Sequence, residues 1–226
     1  MPPTPPQPSK RPGFPGALLC LARDVLLIPG RVPMVVATPR RPRRRRLYSA
    51  PAMSGDQRLS PPEVAVLLRA AVAAIHAEVV ALPERVLRHH PAPGEWCVKE
   101  VLGHLIESER RGFAGRVRQI LAADRPSLQA WDQAAVARER RDCERAARDL
   151  LAELEALREE SAALVARLGA ADLARGGQHP TVGFLTVGDL LQEWVHHDRN
   201  HQRQVLENVR HFVWPAMGNA QRFSAP

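Results

Sequence analysis

Between residues 60 and 210 apolar side chains return every three or four positions, the period of a helix with one buried face. The first run, Val64, Leu67, Leu68, Ala71, Val72, Ile75, Val79 and Leu82, predicts a helix over about 61–81. Its start reads "SPPE", with Ser60 as N-cap, Pro61 at the first helical position and Glu63 closing a capping box. After the "PAPGEW" loop a second helix is predicted from about Val98 to Ala122, with Val101, Leu102, Leu105, Val117 and Ile120 inward, ending at "DRPS". A short helix covers Asp132–Arg140, and a third long one runs from about Asp142 to Leu168 on a leucine-rich face. "GGQHPTVGFLTVG" reads as a long loop with room for one extended turn. The fourth long helix begins near Thr186 or Val187 and ends near Val209. Four long amphipathic helices with few strand signals predict an all-α fold, a four-helix bundle over residues 56–215, with 216–226 as a C-terminal tail.

Charge changes the picture upstream. The chain of 226 residues carries a formal charge of +8, but residues 1–52 hold ten basic side chains against Asp24 alone, so +9 lies there and the remainder is −1. A nucleic-acid role argued from overall basicity therefore does not apply to the bundle. Residues 1–55 hold 12 of the 21 prolines and the run "RRPRRRR", which predicts a disordered basic extension. That run could touch nucleic acid or anionic lipid through charge, with Tyr48 as its one nearby aromatic. The apolar patch "ALLCLARDVLLI" is interrupted by Arg23 and Asp24, against a signal peptide, and the proline density is against a helical presequence. Met53 is an alternative start for the working protein. The sequence shows no run of about 18 uninterrupted apolar residues, so no membrane span is predicted. Three widely spaced cysteines, Cys20, Cys97 and Cys143, read as reduced thiols of a cytoplasmic protein.

The candidate chemistry lies in "EWVHHDRNHQRQ". On the fourth helix Val187, Leu190, Trp194, His197, His201 and Val205 form the inward seam, so two seam positions are histidine, four residues apart. Side chains at that spacing share a face about 6 Å apart, near enough to reach one ion, whereas His196 lies about 100° round and looks elsewhere. His104, on the second helix beside Leu105 with Gly103 leaving room, is a third ligand from a facing helix. The competing reading is that buried histidines satisfy one another. His76, His89, His90, His179 and His211 lack partner spacing and are expected on surfaces or loops.

Two segments, "PAPGEWCVKEVLGHLIESER" and "GDLLQEWVHHDRNHQRQVL", together with the connection "QHPTVGFLTVGDLL", resemble the DinB-like superfamily of four-helix-bundle metalloenzymes over roughly residues 60–210. The resemblance implies a metal triad of His104, His197 and His201, with His197 the histidine followed by Asp198 in the H-D-x-x-H-x-x-Q pattern, and no role for His196. Three imidazoles suit Zn²⁺, Ni²⁺ or Fe²⁺ and leave a position open. Such an ion makes a bound water or thiol nucleophilic near neutral pH. No protein side chain is assigned as nucleophile. The resemblance implies thiol-dependent S-transfer or isomerisation with small bacterial-type thiols such as bacillithiol or mycothiol, a small-molecule substrate, and pairing as a homodimer. The function expected is a metal-dependent transferase or hydrolase; the alternative is a non-catalytic binding or assembly module that retains the triad. Glu107 and Asp198 are candidates to receive the histidines' outer N–H groups, or else exposed charges. Trp96 and Trp194 are candidates for the cavity wall, or else packing anchors. Cys97 precedes a helix, where a thiol pKa falls; its other reading is a buried inert thiol.

Overall fold

The computed structural model describes residues 57–224. The expectation of disorder over residues 1–55 lies outside them. Helix α1 spans Pro61–Ala81, and Glu63 caps it as expected, its carboxylate taking the Ser60 N–H at 2.7 Å. The short α2, Glu84–Leu87, leads through the Trp96 loop into α3, Val98–Glu107. Helices α4 (Ala114–Ala122) and α5 (Gln133–Arg140) follow, then α6 (Ala147–Val165) and the short α7 (Ala170–Ala174). Strands β1 (Gly176–His179) and β2 (Gly183–Thr186) precede α8 (Val187–Val213), and α9 (Gln221–Ser224) closes the described chain.

The four long elements form a bundle in which α1 packs on α6 and α8, and α3 also packs on α6 and α8. Helices α1 and α3, consecutive among the long helices, therefore stand diagonally opposite one another. The core is in two apolar layers. One gathers Leu68, Val117, Ala162, Leu190 and Trp194; the other gathers Ile75, Leu102, Leu105, Leu154 and Val205. Buried polar residues sit on α3, α6, α8 and the turn after α3: His104, Glu109, Arg158, His197 and Asp198.

Three departures from the helical pattern have local causes. The second predicted helix is not continuous: a π-helical turn at Ser108–Gly112 separates α3 from α4. Such turns widen a helix by one residue and occur often at functional sites. Gly115 permits it, because a Cβ there would overlap the Arg110 carbonyl. The third predicted helix starts later, at Ala147, because Arg141 adopts φ +51° and a 3₁₀ turn covers Asp142–Glu144. There Asp142 folds back to bind Arg140 Nε at 2.6 Å and Arg145 at 3.0 Å. The long loop holds an antiparallel hairpin, Gly176 opposite Thr186 and His179 opposite Gly183, the latter at φ +82°.

By length and composition helix α1 is apolar enough to cross a membrane, one 18-residue window having a mean hydropathy of 1.9, although Glu63, Arg69 and Glu78 interrupt its apolar run, as the sequence already shows. Its face of Val64, Leu68, Val72, Ile75 and Val79 is instead buried in the bundle.

Candidate metal centre

Residues of α3 and α8 build the centre. His104 lies on the buried face of α3, and His197 and His201 follow one another by a turn on α8. His104 and His197 are buried and His201 is half-buried. The ring centroids lie 4.5 Å (His104–His201), 4.4 Å (His197–His201) and 5.1 Å (His104–His197) apart. Each ring brings one nitrogen to within 4.8 Å of the others, and the Nε2 atoms of His104 and His197 are 3.0 Å apart. Nitrogens sharing a tetrahedral ion at ordinary bond lengths lie about 3.3 Å apart, and the His104–His197 pair is already near that spacing. His196 is exposed and bonds Asn200 within its own helix.

The outer edges of the three rings are held differently. His201 Nδ1 meets Gln204 Oε1 at 2.8 Å, which makes Nδ1 the donor and leaves Nε2 as the lone pair facing inward. The buried His197 Nδ1 lacks a hydrogen-bond partner, as does Asp198 Oδ1, and these two atoms face each other at 3.6 Å. His104 Nδ1 is buried and unpartnered too. Burial, then the neighbouring His201 and His197, pushes His104 well below the usual imidazole range; burial takes His201 down to about 4. Three imidazoles that each bring one ring nitrogen within 4.8 Å of the others are the donor set a divalent ion takes.

Behind His197 lies a buried charge network. Asp198 binds Arg158 Nη1, Arg158 Nη2 pairs with Glu109 at 2.6 Å, and Nη1 also donates to the Leu68 carbonyl at 3.2 Å. All three charged side chains are at most 2% exposed. Burial raises Asp198, but the Arg158 charge outweighs it and the carboxyl sits below its ordinary value. Burial raises Glu109 above its ordinary value despite the same arginine.

The other sequence candidates divide. Glu107 is buried but does not reach His104; Arg111 at 2.6 Å, Arg140 at 2.7 Å and Arg110 at 3.3 Å hold it. Trp96 is half-buried with its ring 4.9 Å from that of His104. Trp194 is fully buried, stacked on Phe113 at 5.1 Å, with Phe113 edge-on to His197. It packs behind the centre and not at its mouth. Cys97 is fully buried, and burial with the Cys143 thiol pushes its pKa up, against the lowering expected at a helix start. His179, expected on a surface or loop, is buried in β1, where it accepts from Thr181 N–H and meets Arg116.

Sequence periodicity missed Trp131, which stacks on His104 at 5.8 Å from the loop before α5 and carries the Arg111 guanidinium 5.5 Å from its ring. It also missed Arg158 and Glu109: a charge on a leucine-rich helix face and another in "ESERR" were the only signals.

The sequence model of the DinB superfamily matches residues 67–205. No curated protein matches the chain. Among solved structures the chain is similar to YfiT from Bacillus subtilis, described as "a probable metal-dependent hydrolase with an unusual four-helix bundle topology". The two share 23% identity and a TM-score of 0.64 over 77% of this chain and 94% of that one.

Proposed function

The chain belongs to the DinB superfamily, and on that premise we propose that it is a divalent-metal-dependent enzyme whose ion is held by His104, His197 and His201. The observation that carries this reading is the convergence of three histidines from facing helices, their ligand nitrogens within 4.8 Å of one another, with Gln204 on His201 and Asp198 facing His197. When bound, the ion supplies Lewis acidity, lowering the pKa of water or a small thiol at the position the three histidines leave open. The chain's residues do the rest. Gln204 fixes the His201 tautomer, Arg158 holds Asp198 ionised beside His197, and Trp96 and Trp131 flank His104 as apolar walls. That setting suits a small organic substrate, with a low-molecular-weight thiol as co-substrate in a transferase or water in a hydrolase. The cytoplasm, where such thiols are abundant, is the compartment this reading requires.

Elemental analysis of the purified protein tests it. His197→Ala and His104→Ala should each lose one equivalent of divalent metal per chain relative to wild type. Equal metal content in wild type and His197→Ala would sink the assignment. Screening thiols against electrophilic substrates, and esters and amides for hydrolysis, then separates transferase from hydrolase. A non-catalytic module is the second reading. Two surface clefts, one at Arg125 and Phe184 and one at Gln129 and Pro180, are lined by no triad histidine and are places where such a module could bind. Metal binding without turnover on either panel supports it.

A further inference from the structure

We propose a second metal site, built from His90, Cys97 and Cys143, that takes one zinc-like d¹⁰ ion and ties the start of α3 to the α5–α6 connector. Each residue offers one ligand atom, and the three lie within 4.8 Å of one another. The two Sγ atoms are 3.0 Å apart, brought together from positions 46 residues apart in sequence. Cys97 is fully buried, Cys143 is half-buried and His90 is exposed, so the sulfurs form the floor and the imidazole the solvent side. Two thiolates with one imidazole suit Zn²⁺ and leave a fourth position to water. Thiolates on a tetrahedral ion sit about 3.8 Å apart, so the sulfurs separate by less than an ångström on loading. Binding sends two thiol protons to solvent.

Glu100 distinguishes this cluster from two thiols that happen to meet. Cys97 is the N-cap of α3, a position where Ser, Thr, Asp or Asn is ordinarily favoured for its oxygen. Here the Glu100 backbone N–H is directed at the Cys97 sulfur, which takes that oxygen's place. The Glu100 carboxylate accepts the Cys97 N–H at 2.8 Å and meets His90 Nε2 at 2.9 Å. That second contact leaves His90 Nδ1 as the coordinating atom, in the carboxylate–histidine–metal arrangement usual around bound zinc. One residue thus serves two of the three ligands, which a simple disulfide would not require. The ion would brace the wall of the histidine centre, since Trp96 adjoins Cys97 and packs on His104.

Cobalt(II) titration of full-length Cys20→Ser protein, which keeps only these two thiols, is the test. One equivalent should produce a thiolate-to-cobalt charge-transfer band in the near ultraviolet. The band should vanish in Cys143→Ser and persist in His197→Ala, which makes this site's outcome independent of the histidine triad. His90→Ala, an exposed change that spares the core, should weaken cobalt binding at this site about 100-fold or more, beyond what loss of an outer partner costs. Absence of the band in Cys20→Ser protein, its survival in Cys143→Ser, unchanged affinity in His90→Ala, or a metal-free protein 2 Da lighter through a Cys97–Cys143 disulfide (about two hydrogens lost on oxidation) would each overturn the site.

Discussion

Arg158→Met is the perturbation that interrogates the centre of this bundle most directly. Methionine keeps most of the side-chain volume and helix propensity but removes the one cation between Glu109 and Asp198. Both carboxylates are at most 2% exposed in the folded state. Breaking a buried pair in this way costs about 3–5 kcal/mol, because the partner charge stays behind uncompensated. For a domain of this size the loss lowers Tm by roughly 6–20 °C, against a total stability of about 5–15 kcal/mol. The pH dependence has a definite sign. Without Arg158 both carboxyl pKa values rise in the folded state. A carboxyl raised on folding favours the native state below its unfolded value and loses that advantage as pH rises through its folded value. The deficit should therefore be larger at pH about 8 than at about 5, and Arg158→Met/Glu109→Gln should recover part of it by removing one of the two stranded charges. Urea unfolding at both pH values measures this. A deficit under about 1 kcal/mol at pH about 8, or one independent of pH, would refute the argument that the arginine's charge, and not its packing, holds this layer together.

Further outcomes follow from single contacts. Gln204→Ala frees the His201 tautomer and should weaken metal binding at the triad by about 10–100-fold, read by competition with a chelator, with little change in stability. Gly103→Ala places a Cβ on the Asp142 carboxylate, itself bound by Arg140, and should destabilise by roughly 1–3 kcal/mol in thermal unfolding. Asp189 caps α8; burial raises its pKa, but its bonds to Thr186 and the Arg58 charge outweigh burial and hold it below the ordinary 3.8. Its stabilisation is present above that value and lost as pH falls through the folded one, so Asp189→Asn should cost about 1 kcal/mol near neutrality and flatten the acid limb of the stability curve. Asn208→Ala, which removes the 3.0 Å bond to the Trp96 carbonyl, should cost about 1–2 kcal/mol and raise the proteolytic sensitivity of the Trp96 loop.

By itself the sequence determined what depends on near neighbours. The 3.6-residue period placed α1, α3 and α8 on their inward faces, and the capping signal at "SPPE" located the start of α1. The i, i+4 spacing chose His197 and His201 over His196, because helical rotation alone decides which of them share a face. What required the tertiary structure were relations between residues far apart in the chain. Periodicity cannot tell which long helices stand side by side, and so could not place α1 diagonal to α3 or set Arg158 of α6 between Glu109 and Asp198. Glu107, a candidate by its i, i+3 spacing to His104, is instead taken by Arg110 and Arg111 a turn further on and by Arg140 of α5, since arginines outcompete an imidazole for a carboxylate. Periodicity passed over Trp131 and Cys143, which flank α5, because residues outside the long helices carry no period and only the tertiary structure brings them against α3.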